Sequence, residues 1–425
     1  MMTRLHTLCF DRNHWHKSLL FTILMVSICV VFSFLYNLHD SGLIKYGDNV
    51  WFQGDITRIY DNMTNRFSFG HYRANVHPIY SLLTYPPTFV LKKILANDAF
   101  AVKTVTIAIA IFWLISLYGL LRIMGCLKLD ASVFALLGAS SSAALFWLHV
   151  PETYALSSIS IMFAVGLSAY TYQKKLPDWI YATVNAFSIG MTITNWMAGI
   201  LSTLTTLPLK RAIRVFSYAV IIIVVLWGVQ KFIFPTSAFF IGNSEEGTFI
   251  FAPSFERLIS VLITFFSHTI VAPELQINEV NKFGWPLLSV QSSNIGSSGL
   301  LGWIATGLWL IILSLGVWAL YTIQSFKAFK ITLALTLLGQ FTLHFIYGEE
   351  TFLYTLNFLP LLIVLAATAT LTRYRKIAIL LSLTLMPILL VNNITQLKHA
   401  GDIASPAYIN KLKSPELMSP DSLTP

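Results

Sequence analysis

Charge is scarce in this 425-residue chain: Asp, Glu, Lys and Arg together make up 11% of it, against 56% hydrophobic residues. That balance, with a mean hydropathy of +0.68, excludes a protein whose whole surface faces water and describes one whose solvent is largely lipid. Cysteine is rarer still. Cys9 and Cys126 fall on the expected cytoplasmic side and Cys29 within the first apolar run. Neither an extracytoplasmic disulfide nor a Cys/His set with zinc spacing is therefore available. No internal repeat is present, and the one low-complexity stretch is the polar tail 414–425, expected to be disordered. The net charge of +9 would suit nucleic acid, but most of the excess sits in short loops where membrane topology already demands it. No nucleic-acid partner is expected.

What the chain has in abundance is long apolar runs. Runs near the roughly 20 residues that a helix needs to cross a hydrocarbon core occupy 18–36, 99–121, 131–149, 153–172, 213–234, 299–323, 331–347, 352–371 and 377–394. Lipid offers the backbone no other partner, so each is expected to be helical. The first run follows Arg4, Arg12 and Lys17 and lacks a small-residue cleavage site, which predicts a retained anchor. Lysine and arginine mark cytoplasmic loops. By that rule residues 1–17, 122–128, 174–175, 210–214, 327–330 and 373–376 lie inside. Residues 179–207 have basic loops at both ends and are too short for two crossings. They predict a hairpin of two short helices, entering from the cytoplasm and turning near Thr194, Asn195 and Trp196. The expected fold is an all-α polytopic membrane protein of about ten segments. It forms one domain over 18–395, with outer loops at 37–98 and 235–298 and an outer tail at 396–425.

Chemistry is then expected outside, and the first outer loop is where charge concentrates. At 100° per residue Ile56, Ile59, Tyr60 and Met63 share one stripe, while Asp55, Arg58, Asp61 and Asn62 share the opposite arc. This predicts a short amphipathic helix on the membrane surface. Arg58 is three residues from both aspartates and can orient either. His71, Tyr72 and Arg73, then His77, Pro78, Ile79 and Tyr80, bring cations and donors just before the chain re-enters apolar surroundings. Arginine suits a phosphate because its planar fork gives two parallel charge-assisted bonds. The bland reading of the same residues is a solvated polar face beside the membrane.

An Asp soon after the first helix, an Arg three residues on, and then Tyr72-Arg73 with His77-Pro78 resemble the GT-C superfamily of membrane glycosyltransferases. His149 to Tyr154 at an outer turn, the Thr194-Asn195-Trp196 vertex and Tyr347 to Tyr354 entering a late helix extend the resemblance over most of the chain. Many relatives read Thr-Arg-Pro at that vertex, so any role of a vertex arginine is missing here. The resemblance implies a GT-C-like bundle with juxtamembrane helices in the first outer loop. It implies a sugar donor on a polyprenyl phosphate and an acceptor glycan, lipid or protein outside. Some relatives use a divalent metal such as Mg or Mn and many do not, so the metal stays open. The acceptor hydroxyl needs a base, for which Asp55 is the first candidate, with Asp61 and Asp48 in reserve. Arg58, Arg73, His77 and His71 are candidates for the donor phosphate. Direct displacement by one base would invert the anomeric centre.

Glu152, Glu349 and Glu350 read either as helix N-terminal charges complementing the dipole or as acceptor- or sugar-binding groups. Trp285 joins them in the long loop 235–298, which has the look of an acceptor-facing loop of little regular structure. Asn62-Met63-Thr64 and Asn393-Ile394-Thr395 match the glycosylation sequon, a pattern frequent by chance. Rival classes are a transporter or lipid-linked-glycan flippase and a non-catalytic partner of a glycan-modifying complex. The acceptor inclined to is a bacterial surface polysaccharide such as O-antigen, modified by glucosyl transfer at the outer face of the inner membrane.

Overall fold

The computed structural model describes residues 50–239, 245–278 and 287–404. The expected first span 18–36, Asp48 and Trp285 lie outside them. The described chain is helical almost throughout. Its helices in order are α1 (Ile56–Thr64), α2 (Tyr80–Leu95), α3 (Asp98–Ile123), α4 (Lys128–Ala139), α5 (Ser142–Trp147), α6 (Tyr154–Tyr170), α7 (Asp178–Met191), α8 (Trp196–Thr206) and α9 (Leu209–Ile233). Then follow α10 (Phe255–Ile263), the strands β1 (Gln276–Asn278) and β2 (Leu287–Ser289), α11 (Leu300–Thr322), α12 (Lys327–Ile346), α13 (Thr355–Ala367) and α14 (Arg375–Ile403). The strands pair antiparallel with Ile277 opposite Leu288.

Among the described residues, six helical segments are long and apolar enough to cross a membrane: Asp98–Ile123, Leu209–Ile233, Leu300–Thr322, Lys327–Ile346, Thr351–Leu371 and Arg375–Ile403. The shorter Tyr154–Tyr170 is also apolar. α6 and α13 are buried along nearly their whole length and form the centre, with α3, α4, α7, α8, α11 and α12 packed around them. α9, α11 and α14 leave most of their apolar surface uncovered, as lipid-facing helices do. Small residues let the central helices approach closely. A Cβ on Gly316 of α11 would lie 2.3 Å from the Leu365 carbonyl oxygen of α13.

The apolar run 131–149 is broken. α4 stops at Ala139 and α5 starts at Ser142, and an interruption at membrane depth must find partners for its freed backbone groups. The Ser142 and Ala143 amides donate to the Ile270 and Thr269 carbonyls, and Asn393 of α14 ties the two segments together. Its Nδ2 donates to the carbonyls of Ser140 (3.0 Å) and Ile270 (2.9 Å), and its Oδ1 accepts from the Ala272 amide at 2.8 Å. Both sequon asparagines, Asn62 and Asn393, are buried and are not acceptors for a glycan.

The hairpin over 179–207 is present as α7 and α8, joined by a tight turn at Ile193–Asn195. At 14 and 11 residues the two arms span about 21 and 16 Å, short of a full crossing. Of the vertex residues only Asn195 is buried, while Ile193 is half-buried and Thr194 exposed; irregular backbone is tolerated where it lines a cavity, and Asn195 Nδ2 donates to the Ser157 carbonyl of α6.

The loop 235–298 departs from the expectation of little regular structure. It holds α10, a π-helical turn at Thr264–His268 and the β1–β2 hairpin. The reason is local: Ser254 caps α10 by accepting from the Arg257 amide, and Arg257 in turn donates to the His344, Phe345 and Gly348 carbonyls. Those are orphan carbonyls at the end of α12, where a cation also complements the dipole.

Candidate functional site

Connectivity places the loops rich in Lys and Arg at one end of the bundle and the segment 50–79, the hairpin vertex and the α12–α13 turn at the other. A cavity of about 560 Å³ opens at that second end. Asp55, Tyr72, Arg73, His77, the vertex residues Thr192 to Thr194, Glu246, Tyr347 and Tyr354 line it.

Asp55 stands at the start of α1 but does not cap it with its side chain. Its carboxylate is taken instead by Arg58, which donates to Oδ2. The turn before it is unusual: Phe52 and Gln53 both adopt positive φ, 50° and 62°, a conformation that non-glycine residues hold only when their surroundings over-determine it. Trp51 and Phe52 supply that constraint. They are fully buried against Phe146, Trp147 and Phe352, and Trp51 donates to the Phe146 carbonyl.

Glu152 lies directly behind Asp55. Its Oε1 accepts from the Asp55 amide and its Oε2 from the Thr153 amide, both at 2.6 Å. With 5% of its surface exposed it is absent from the cavity lining, so it positions Asp55 rather than facing a ligand. Burial first, and then the negative charge of Asp55, push its carboxyl up to about 7. Burial would raise Asp55 as well, but the charge and hydrogen bond of Arg58, helped by Arg73, outweigh it and hold Asp55 below the usual carboxylate range.

The candidate phosphate ligands separate. Arg73 reaches the cavity, held by Glu246, which also accepts from the Tyr347 hydroxyl. Glu246 is fixed because its loop is fastened to the end of α12, by the Ile250–Tyr347 bridge and the Gly348 amide donating to the Phe249 carbonyl at 2.9 Å. Arg58 stands behind Asp55 as its partner. His77 lines the cavity but brings no positive charge at neutral pH: burial, then Arg73, push it down to about 3. Its Nδ1–H donates to the Met191 carbonyl at 2.8 Å, which leaves Nε2 as an acceptor. His71 does not reach the cavity. It is 1% exposed, bonded through its two ring nitrogens to Ser81 Oγ and the Asn65 carbonyl, and packed at a tilt against the Phe234 ring.

Asp61 faces outward on α1, away from the cavity lining. α1 itself is packed between α2 and the turn Phe69–Asn75 rather than lying free on a surface, which is why Asn62, expected on the polar arc, is buried. Glu349 and Glu350 line a second, polar cavity of about 600 Å³ with Arg257, Gln276, Ser289 and Gln291. Gln53 belongs to both cavities. Glu350 accepts from Ser289 Oγ at 2.5 Å, and burial pushes its carboxyl up to about 7. Among the described residues no three or more His, Cys, Asp or Glu side chains gather as a metal site.

Sequence reasoning passed over Gln340 and His344 of α12 and Asn357 of α13, which also line the first cavity. Gln340 and His344, four residues apart on one face of an apolar helix, were the readable signal. No protein-family model and no curated protein matches the chain.

Proposed function

We propose that the chain is a GT-C-type membrane glycosyltransferase that moves a sugar from a polyprenyl-phosphate donor to an acceptor glycan at the extracytoplasmic face. The observation that carries this reading is the convergence, at the end away from the basic loops, of an ionised carboxylate and an arginine on one cavity. In the proposed reaction the acceptor hydroxyl oxygen attacks the anomeric carbon, and its proton passes to the Asp55 carboxylate. The bond from that carbon to the phosphate oxygen breaks and its electron pair stays on the departing polyprenyl phosphate. Arg73 faces the charge that develops there, fixed by Glu246 before reaction begins. Arg58 and Glu152 orient Asp55. One displacement inverts the anomeric centre, and retention in the product would overturn that step.

The second cavity, sharing Gln53 with the first, is the proposed acceptor side, where Glu349, Glu350 and the amide and hydroxyl groups of the β-hairpin offer acceptors and donors to a glycan. A surface polysaccharide of the O-antigen kind on the bacterial inner membrane's outer face is the acceptor class proposed. Transport is the second reading, favoured by the interrupted hairpin whose vertex lines the cavity.

The test is transfer of labelled sugar from polyprenyl-phosphate donors by the purified wild type and Asp55→Asn in defined lipid. Transfer that falls about 100-fold or more in the variant while donor binding persists supports the reading. Flux across sealed vesicles without chemical change would replace it with transport.

A further inference from the structure

The first cavity has two chemically distinct halves. Every charged side chain on its wall, Asp55, Arg73 and Glu246 among them, comes from the loops at the mouth. The inner half is walled by α12, α13 and the hairpin vertex, and no Asp, Glu, Lys or Arg lines it. Gln340 sits in α12 six residues before its end at Ile346, about 9 Å into the span. It is fully buried, and neither its Oε1 nor its Nε2 has a hydrogen-bond partner. Asn357 of α13, 5% exposed, has no partner for Oδ1, and neither does buried Asn75. His344, one turn above Gln340, stacks on Tyr354 with ring centroids 4.5 Å apart.

An amide left unpaired at membrane depth is expensive, and the unpaired amides of Gln340 and Asn357 on two helices that wall one cavity call for a ligand that both donates and accepts. A lipid tail does neither. A phosphate would bring charge without a cation to meet it. Sugar hydroxyls donate and accept, and the flat Tyr354 and His344 rings suit the apolar face of a pyranose. We infer that the inner half holds the sugar ring of the donor, and that the sugar is neutral, a hexose or deoxyhexose rather than a uronic acid or a free amino sugar. The inference rests on the glycosyl-transfer reading, since it is the phosphate at Arg73 that would put the ring within one bond's reach of the cavity. Gln340 is fully buried, so a hydroxyl meets it after a turn of its amide or of the His344 ring above.

The experiment measures equilibrium binding, without acceptor, of three lipids in nanodiscs of phosphatidylethanolamine and phosphatidylglycerol: bare polyprenyl phosphate, its hexosyl form and its hexuronyl form. The wild type is compared with Gln340→Leu and Asn357→Leu. An apolar replacement removes an unpaired buried amide, so folding is expected to survive. The wild type should bind the hexosyl lipid about tenfold tighter than the bare lipid, with no such gain for the hexuronyl form. Either variant should lose most of that gain while keeping its affinity for the bare lipid. Equal binding of hexosyl and bare lipid, an equal gain for the hexuronyl lipid, or a gain that survives in both variants overturns the sugar seat and leaves glycosyl transfer standing. Failure of the wild type to bind any of the three overturns both. Should neither variant fold, the three-lipid comparison on the wild type decides.

Discussion

Replacing Glu152 by Gln separates its charge from its shape. The native carboxyl titrates near 7 instead of at its ordinary 4.5; in the native state it holds its proton where the unfolded chain has released it. Below pH 4.5 both states are protonated and the shift has no effect on stability. As pH rises from 4.5 to 7 the unfolded state ionises first, so stability falls, and above 7 the full loss of about 3 kcal/mol is in place. Gln carries no such dependence. It has its own defect: with one amide oxygen kept for the Asp55 N–H, its NH2 faces the Thr153 amide that Oε2 now accepts from, donor against donor, at a cost of about 1–2 kcal/mol. The variant should therefore be less stable than the wild type at pH 4.5 and more stable at pH 8, with the curves crossing between about pH 5 and 6. Thermal unfolding of both proteins in one detergent, from pH 4.5 to 8.5, reads the crossing directly. A stability difference that stays constant over that range would show that Glu152 is ionised throughout, and the account of the buried carboxyl pair would fail.

Gly70→Ala puts a Cβ 2.6 Å from Asn62 Oδ1 and 2.7 Å from Arg58 Cγ. Arg58 must shift, and a stability loss of about 1–3 kcal/mol together with at least tenfold lower turnover is expected in unfolding and transfer assays. Glu246→Ala frees Arg73 from its carboxylate partner, so affinity for bare polyprenyl phosphate should rise several-fold, by about 1 kcal/mol. Unchanged affinity in a lipid-binding assay would remove Arg73 from the phosphate site. Asn393→Leu strands the Ser140 carbonyl and the Ala272 amide and takes one of two donors from the Ile270 carbonyl, which keeps the Ser142 amide. A loss of about 3 kcal/mol or more is expected, seen as a lower unfolding temperature, and equal stability would mean that water takes over those bonds.

Where lipid dictates the answer, the chain could be read directly. The spans 98–123, 209–233, 300–322 and 327–346 follow their apolar runs to within a few residues, because an unbroken apolar stretch has only one way to satisfy its backbone. The hairpin was legible from charge parity alone. The break after Ala139 was not, since an apolar run looks the same whether its backbone bonds within the helix or, as here, through the Ser140 carbonyl to Asn393 and the Ser142 and Ala143 amides to the Ile270 and Thr269 carbonyls, all more than 100 residues away. The loop 235–298 hid its order for a related reason. Its α10 depends on Arg257 meeting carbonyls of α12, a contact that local composition does not encode. Asp55, Arg58 and Arg73 were found because charge in a greasy chain is conspicuous. Gln340 and Asn357 were passed over because a single neutral amide in an apolar run adds little to any charge pattern.

The roles that the sequence could not divide among these residues are divided by backbone geometry. Asp55 and Glu152 are both carboxylates at the same end of the bundle, and the sequence alone does not say which of them faces a ligand. Only Asp55 faces the cavity, and only Asp55 has a cation within bonding distance, so it stays ionised where Glu152 is held near 7. Glu152 spends its two oxygens on the amides of Asp55 and Thr153 and so ties the first outer loop to the start of α6, a buried central helix. The same division holds for the histidines. His71 is bonded through its two nitrogens inside the loop, whereas His77 gives one to the carbonyl of Met191 at the hairpin. The cavity is thus built where the outer loop, the hairpin and the end of α12 are stitched together by side chains reaching back to carbonyls and amides. A substitution that cuts one of those stitches should move Asp55 or Arg73 without touching either.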